Sequence, residues 1–366
     1  MSEAILSNLT LVTLLIIVCS FSLVYYLIPK IIFMVNHHDL NEIPGERSAH
    51  VKATPSMGGL AFFVVLMLNL FLLKQMDFEQ MGLNLTAALT LIFVIGLKDD
   101  LAVSTPKARI FIEVLALFII LMHPAYHSAS FEGFLGIHQA PSWLLDSFHI
   151  IIALTIINAY NLIDGVDGLA SALGISMFSM LGFVFFSMGL NFYWLLCLGL
   201  IFMLLAFMRY NFSHRQKIFM GDTGSLIIGF CIAVLSLKFL TIEAAAFSEF
   251  RFKIENRLFI IAAIAVVPLF DMLRVIGVRL LNGQSPFIAD RNHVHHVLLD
   301  LGLPHYKIAL LLGILNYSLA IGIIFLSVHL NSFQMALALL VILVLFLMIF
   351  HRLKLRSLKK HELKTL

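Results

Sequence analysis

The segment from residue 158 to residue 168 concentrates groups that can do chemistry within a strongly apolar chain. Its polar side chains fall at every third position: Asn158, Asn161, Asp164 and Asp167. On a helix this spacing produces one slowly drifting ridge, so the four side chains can line a single cleft. Gly165 and Gly168 indicate that the helix ends here and that the backbone approaches another group closely. A helix end that is merely capped by Asn and Asp is the structural alternative.

Two adjacent carboxylates, Asp99 and Asp100, close the third apolar run. Neighbouring residues of a helix point about 100° apart, so these carboxylates do not share one proton as a close dyad does. We therefore predict two neighbouring functions, which are binding of a divalent metal or a phosphate partner and acceptance of a proton. The alternative is a solvated helix end with Lys98 and Lys107 as counter-charges, although carboxylates at a helix C-terminus oppose its dipole.

A second acidic position, Asp222, opens a later apolar run within the sequence Gly-Asp-Thr-Gly-Ser. Asp222 can be a helix N-cap, with Ser225 three residues further on. It can equally be a metal ligand, because Mg²⁺ takes one or two carboxylates and leaves its other positions to water and phosphate. The flanking glycines allow close backbone approach, and a helix N-terminus favours phosphate.

The loop between the apolar runs at 257–276 and 307–328 carries a cluster of cationic and imidazole side chains: Arg291, His293, His295 and His296. If the segment is helical, His293 and His296 share a face. With the arginine they form an anion site suited to a diphosphate. Zinc is the competing interpretation, but no thiol and no HExxH pattern accompanies the histidines.

Two further polar segments give weaker signals. The loop from Pro44 to Gly59 is rich in turn residues, and its basic side chains can reach phosphate or simply mark the positive side of a membrane. Asp271 and Arg274 are three residues apart at the end of an apolar run, and we interpret them as a structural ion pair on a helix.

The composition defines the class of protein that must position these groups. Apolar residues make up 61% of the chain, charged residues 12%, and the mean hydropathy is +1.00. A soluble domain is about half apolar and about a quarter charged. We predict an all-α, polytopic membrane protein in one domain over residues 1–366 with about eleven spans. These spans are expected near residues 5–28, 57–74, 83–98, 109–123, 143–161, 168–190, 192–208, 223–242, 257–276, 307–328 and 333–350.

The placement of Lys and Arg predicts the orientation of the chain. With eleven spans, the side that holds the C-terminus carries almost four times as many Lys and Arg residues as the other side. The positive-inside rule therefore predicts an outside N-terminus and a basic cytoplasmic tail at 351–366. Every polar cluster then lies on the cytoplasmic face. The net charge of +3 is small and gives no indication of nucleic-acid binding.

Together, these groups indicate metal-assisted transfer of a phosphoryl group at the cytoplasmic boundary of the membrane. A transporter or flippase without phosphotransfer activity is the alternative from another class. Its ionisable groups would lie near mid-membrane, whereas here they lie at span ends.

Five motifs occur in the order found in a known family: PGERSAHVKATPSMGG, GLKDD, NAYNLIDGVDGL, FMGDTGSL and SPFIADRNHVHHVLLDLG. Through them nearly the whole chain resembles the polyprenyl-phosphate N-acetylhexosamine-1-phosphate transferases. Within that family it is most similar to the bacterial undecaprenyl-phosphate alpha-N-acetylglucosaminyl 1-phosphate transferase branch. The phospho-MurNAc-pentapeptide transferase branch is the alternative, but it typically carries three consecutive histidines where this chain has His-Val-His-His.

The resemblance implies a reaction between UDP-GlcNAc, or another UDP-N-acetylhexosamine, and undecaprenyl phosphate. The products would be undecaprenyl-diphospho-GlcNAc and UMP, the first step towards a cell-surface polysaccharide such as O-antigen. It also implies Mg²⁺ as cofactor, with Mn²⁺ as a substitute, and a place in the bacterial cytoplasmic (inner) membrane. A homodimer is compatible with it.

The resemblance also assigns metal binding and catalysis to particular carboxylates. Asp222 would be a metal ligand, with Asn161 close to the metal. Four further carboxylates would be catalytic: Asp99, Asp100, Asp164 and Asp167. The first two would lie beside the lipid phosphate, and the last two would shape the site for the nucleotide sugar and the metal.

Substrate binding falls to six polar side chains: Asn158, Asn161, Arg291, His293, His295 and His296. The histidines would hold the diphosphate or the sugar of the donor, helped by the arginine. The chain departs from the family at Ser56-Met57, where a basic residue is common, and at Val294, where isoleucine is usual.

Overall fold

The computed structural model describes residues 8–38, 54–102, 105–127, 130–247, 250–285 and 293–365. Within these ranges the fold is built from α-helices, short 3-10 turns and loops, without a strand longer than one bridge. The helices are α1 (Leu9–His37), α2 (Gly59–Leu72), α3 (Gly82–Leu101), α4 (Pro106–Leu121), α5 (Ser142–Leu162), α6 (Leu169–Ser187), α7 (Asn191–Asn211), α8 (Gly221–Thr241), α9 (Arg257–Ile264), α10 (Val266–Leu281), α11 (Val294–Asp300), α12 (His305–His329) and α13 (Ser332–Thr365).

The all-α, polytopic class is confirmed, but among the described residues fewer helices than the eleven expected have the length of a membrane span. In the described ranges eight helices are long and apolar enough to cross a membrane, or nine if the bent pair α9–α10 forms one span. Two of the eleven expected spans form shorter helices, α2 with 14 residues and α4 with 16 residues. At 1.5 Å per residue α2 is about 21 Å long, which is less than the hydrocarbon core of a bilayer.

Pro268 explains the break between α9 and α10, and the backbone groups that it leaves unpaired are bonded by a side chain of α12. The two helices meet at an angle of 76°. Pro268 has no amide proton and its ring clashes with the carbonyl four residues earlier, which frees the oxygen of Ile264. The buried Asn316 of α12 donates to that oxygen at 2.8 Å and accepts from the amide of Val267 at 3.1 Å. The backbone groups at the bend are therefore paired inside the bundle, as they must be at this depth.

Helix α8 is the centre of the bundle. Every residue of its most apolar 18-residue window is buried. It packs against α2, α3, α5, α6 and α9. Such a position is expected for a helix whose sequence is apolar on all sides. The polar residues at its first turn, Asp222 and Ser225, are thus presented at one end of the bundle, which we call the site end. We define the site end by five residues: Asp100, Asn161, Asp167, Asp222 and His295.

The last helix extends beyond the predicted span. Helix α13 has 34 residues and continues through the basic tail to Thr365. It is about 51 Å long, so about two fifths of it would project beyond a 30 Å hydrocarbon core that it crossed without tilt. The tail is therefore the helical continuation of α13 over the described residues.

Candidate active site

The first turn of α8 is held by a carboxylate from another helix. Asp100, at the end of α3, accepts a hydrogen bond from the amide of Asp222 at 2.7 Å. Its second oxygen accepts from the amide of Thr223 at 3.2 Å and from the hydroxyl of Thr223 at 2.5 Å. The carboxylate satisfies free amides of the helix N-terminus and complements its dipole. Asp222 is consequently free of the capping function and occupies the second position of α8.

Glycines allow the neighbouring helices to approach this turn closely. A Cβ atom on Gly59 would lie 2.3 Å from the amide nitrogen of Gly224, and one on Gly96 would lie 2.5 Å from the Cα of Thr223. Gly221 has φ of +74°, and a Cβ there would lie 1.8 Å from the carbonyl oxygen of Ser56. Gly221, which was predicted to permit close backbone approach, acts together with Gly59 and Gly96, and the three glycines bring the Thr54–Gly59 segment, α3 and α8 together.

The carboxamides of the 158–168 segment contact two different partners. Asn161 donates through Nδ2 to Oδ1 of Asp222 at 2.8 Å and to the hydroxyl of Ser225 at 2.7 Å. Asn158, one turn earlier, donates to Glu113 of α4 at 3.0 Å. Helix α5 ends at Leu162, as the glycines indicated. The four polar residues therefore do not form one ridge, because only the two asparagines lie on the helix.

Two charged residues of α4 complete this part of the site, and sequence analysis did not assign them to it. Arg109 pairs with Glu113 at 2.9 Å, and its Nη1 lies 3.6 Å from Oδ1 of Asp222. Glu113 is fully buried, and Asp99 lies close enough to interact with it electrostatically. The signal that could have located this pair is an Arg and a Glu four residues apart, facing one side of a helix in an apolar run.

Asp167 joins three segments of the chain at the site end. Its carboxylate lies 2.6 Å from Nζ of Lys217 and 3.0 Å from Nδ1 of His305. Burial alone would raise the pKa of Asp167, but the hydrogen bonds with His305 and Lys217 outweigh it and lower the pKa below its ordinary value. Asp167 therefore carries its negative charge at neutral pH and holds the loop before α6 in place. Asp164 lies in the same turn and is half-buried.

The histidine motif begins outside its helix. Helix α11 starts at Val294, so His293 has an extended backbone and does not share a helical face with His296. Instead, Nδ1 of His293 lies 2.7 Å from Oδ2 of Asp271, whose other oxygen accepts from the amide of Val294 at 2.9 Å. Asp271 and Arg274 form the expected helical pair at 3.0 Å. Arg291, which we assigned to the same motif, lies outside the described residues.

His295 connects the histidine motif to the 158–168 segment. A Cβ atom on Gly165 would lie 2.4 Å from Nε2 of His295, so the imidazole lies directly against that backbone. His295 is 1% exposed and stacks on His293, with ring centroids 5.5 Å apart. Burial, reinforced by the nearby His296, lowers the pKa of His295 to about 3. At neutral pH its imidazole is therefore uncharged and can hydrogen-bond a ligand without adding a positive charge.

Replacing Gly165 with alanine is expected to displace His295 and to lower turnover at least about tenfold. The new methyl group would overlap with a buried, stacked ring that has no free space to move into. Gly322→Ala is the matched control, because a Cβ on this helical glycine of α12 meets no atom within 4 Å. The measurement is initial rate per amount of folded protein for both variants. Equal rates would show that the packing of His295 on residue 165 is not needed.

The side chains at Asp222 suit a metal ion that takes some of its ligands from the protein and the others from a substrate and water. Among the described residues, no three His, Cys, Asp or Glu side chains converge to hold a metal by themselves. Asp222, however, has 44% of its side chain exposed next to the amide group of Asn161. One carboxylate and one amide oxygen suit Mg²⁺, which keeps water and phosphate oxygens as its remaining ligands. The residues present therefore fit the cofactor, and the assignment stays a prediction.

Comparison with known proteins identifies a family. Residues 83–240 match the family model described as glycosyl transferase family 4. The chain is 33% identical over 285 residues to a probable undecaprenyl-phosphate N-acetylglucosaminyl 1-phosphate transferase of Bacillus subtilis (strain 168), covering 78% of this chain and 76% of the relative. It is 31% identical over 314 residues to the decaprenyl-phosphate N-acetylglucosaminephosphotransferase of Mycobacterium tuberculosis H37Rv, with 77% and 75% covered.

A third relative comes from a different group of bacteria. The undecaprenyl-phosphate alpha-N-acetylglucosaminyl 1-phosphate transferase of Yersinia pestis is 29% identical over 291 residues, covering 77% of this chain and 75% of the relative. The matched family model spans α3 to α8, which includes Asp99, Asp100, the 158–168 segment and Asp222. The chain therefore belongs to the polyprenyl-phosphate N-acetylhexosamine-1-phosphate transferase family.

Proposed function

We propose that this protein transfers N-acetylhexosamine 1-phosphate, with GlcNAc 1-phosphate as the first candidate, from a UDP-sugar to undecaprenyl phosphate. An oxygen of the lipid phosphate attacks the phosphorus that carries the sugar. A new diphosphate bond forms, the bond to the bridging oxygen of the donor breaks, and UMP leaves with that oxygen. The lipid product would begin the assembly of a cell-surface polysaccharide, such as O-antigen or a cell-wall polymer.

The observation that supports this proposal is the meeting of three segments at the site end. Asn161 donates a hydrogen bond to Asp222 at the start of α8. Gly165 follows Asn161 by four residues, and the His295 ring packs against its backbone. A carboxylate and an imidazole from distant parts of the chain thus contact the segment at the end of α5, which supplies the carboxamide. The names of the relatives from Bacillus subtilis and Yersinia pestis specify the same pair of a polyprenyl phosphate and N-acetylglucosamine 1-phosphate.

We assign Mg²⁺ to Asp222 and to the side-chain oxygen of Asn161. When bound there, Mg²⁺ would neutralise the donor diphosphate and the charge that develops on the leaving UMP. Asn161 now donates its amide nitrogen to Asp222, so its side chain must rotate to present oxygen. Arg109, 3.6 Å from Asp222, adds a positive charge beside the same position. Orientation of the donor phosphates by fixed charges would support direct attack by the lipid phosphate, without a covalent intermediate on the enzyme.

The remaining predicted residues receive separate functions in this proposal. Asp99 lies at the end of a span, where a phosphate on a lipid in the membrane would reach it. Asp100 fixes the backbone from which Asp222 projects. Asp164 and Asp167 shape the loop between α5 and α6, and His295 offers a neutral imidazole to the donor. The cytoplasmic side of the inner membrane is the proposed location of the site, because basic residues such as Arg109 and Lys217 lie at the site end. A homodimer stays a prediction.

The test is release of UMP by purified protein that receives undecaprenyl phosphate and a panel of UDP-sugars. UDP-GlcNAc with Mg²⁺ is expected to give UMP and a lipid diphosphate in equal amounts, whereas chelation of the metal is expected to stop release. The panel includes UDP-GalNAc and UDP-MurNAc-pentapeptide, because the latter would indicate the phospho-MurNAc-pentapeptide branch. Absence of UMP release with every UDP-N-acetylhexosamine, together with lipid or solute movement across vesicles, would overturn the proposal in favour of a transporter.

A further inference from the structure

Helix α11, which carries His295 and His296, is too short to be stable by itself. It has 7 residues, so its own hydrogen bonds are too few to hold it. Its position must therefore come from neighbouring elements. At its start, Asp271 of α10 accepts from the amide of Val294 at 2.9 Å and holds Nδ1 of His293 at 2.7 Å.

Asp271 is in turn held by a residue that α13 covers. The Asp271 side chain is buried, and its Oδ1 accepts from Nη2 of Arg274 at 3.0 Å. The guanidinium of Arg274 lies 3.7 Å from the centre of the Phe350 ring of α13. A buried carboxylate requires a paired charge, and a planar guanidinium stacks well on an aromatic face. Phe350 is 8% exposed, and its ring covers one face of the Arg274 guanidinium.

The other end of α11 is bound by the same helix. Nζ of Lys360 donates to the carbonyl oxygen of Leu301, the residue that follows α11, at 2.7 Å. Residues 350 and 360 are about 15 Å apart along α13, whereas α11 is about 10 Å long. Helix α13 is therefore long enough to hold both ends of α11, one through Phe350 and Arg274 and the other directly through Lys360.

We propose that the C-terminal half of α13 positions the histidine motif for the donor, with Phe350 and Arg274 as positioning residues that act through Asp271 on His293. With Nδ1 of His293 directed at Asp271, the remaining ring nitrogen has a fixed orientation towards a ligand. This inference rests on the proposed function for the identity of the ligand. It predicts that α13, whose basic end lies in the tail at 351–366 that indicated the orientation of the chain, also takes part in binding the nucleotide sugar.

The test compares two aromatic residues on α13. Phe346 stacks on Phe270 of α10 at 4.6 Å, one turn before Phe350, and it offers a matched control because it belongs to the same helix pair. Phe350→Leu is expected to raise the KM for the UDP-sugar and to lower kcat/KM about tenfold, with the KM for the lipid unchanged. Phe346→Leu is expected to leave both constants unchanged. Phe350→Tyr retains the ring and is expected to restore the wild-type constants.

A second readout does not depend on turnover. Hydrogen–deuterium exchange of a peptide covering α11 is expected to rise in Phe350→Leu and to stay at the wild-type level in Phe346→Leu and Phe350→Tyr. Equal effects of the two leucine substitutions on rate and on exchange would show that α13 contributes only general packing, and would overturn the inference. If the wild-type protein turns over no UDP-sugar, the proposed function fails. The exchange comparison would then still decide whether α13 holds the histidine motif.

Discussion

Asp222→Asn is expected to abolish transfer while the bundle stays folded. The substitution keeps the size and shape of the side chain and removes its charge, which is the property that a divalent metal requires. Loss of about 4 kcal/mol of charge stabilisation in the transition state corresponds to a rate about a thousandfold lower. The side chain is 44% exposed and the cap of α8 is supplied by Asp100, so folding does not depend on it. Its ion pair with Arg109 is long and partly exposed, which limits its contribution to stability.

The measurements are UMP release and a thermal melt of the purified protein. Glu243→Gln serves as the matched control, because it removes an exposed acid just beyond the other end of α8. The control is expected to keep both rate and melting temperature. Binding of Mn²⁺ in the presence of UDP-GlcNAc, followed by electron paramagnetic resonance, should weaken in Asp222→Asn alone. An Asp222→Asn protein with wild-type turnover would remove this residue from the metal site.

The sequence was sufficient to identify which polar residues form the candidate site, but not to predict which of them contact one another. Asp100 and Asp222 were both identified from their motifs, but 122 positions separate them and no local pattern predicts that one holds the backbone of the other. The structural interpretation of Asp222 as an N-cap is wrong for that reason. The capping carboxylate comes from α3, and only tertiary packing brings α3 to this turn.

Spacing rules failed where backbone geometry changes within a motif. Asn158 and Asn161 lie on α5 as expected, whereas Asp164 and Asp167 follow its end and are not part of the helix. Likewise, α11 begins one residue after His293, which breaks the predicted helical face. A one-residue difference in a helix boundary is beyond what a single sequence resolves, although it decides which group a side chain contacts.

Apolar runs predicted the class of fold but not the lengths of two of the helices. The run at 57–74 has spanning length, but Gly58 and Gly59 use their amides to bind the carbonyl oxygens of Phe219 and Met220 at 3.1 Å. Helix α2 consequently starts late and is short. The run that forms α4 carries Arg109 and Glu113 among its apolar residues. In the structure both contact residues predicted for the site: Arg109 lies 3.6 Å from Asp222, and Glu113 accepts a hydrogen bond from Asn158.

Asp100→Ala is expected to remove both activity and a large part of the stability of the fold. The substitution leaves the amides of Asp222 and Thr223 and the hydroxyl of Thr223 without their acceptor. Each unsatisfied group costs about 1–3 kcal/mol, so the free energy of unfolding should fall by about 2–4 kcal/mol after partial access of water to this half-buried site. Turnover should fall at least about a hundredfold, because Asp222 projects from the backbone that Asp100 fixes.

Asp99→Asn separates the structural from the chemical contribution at this helix end. It removes an adjacent negative charge from the same end of α3, but the bonds from Asp100 to α8 remain. We expect its melting temperature to stay near the wild-type value while its turnover falls, in contrast to Asp100→Ala, which should lose both. A thermal melt and UMP release measured on the same preparations test the pair. If Asp100→Ala melts like the wild type, the carboxylate is not what holds the first turn of α8, and the central element of the site must be fixed by the packing of Gly59 and Gly96 on that turn.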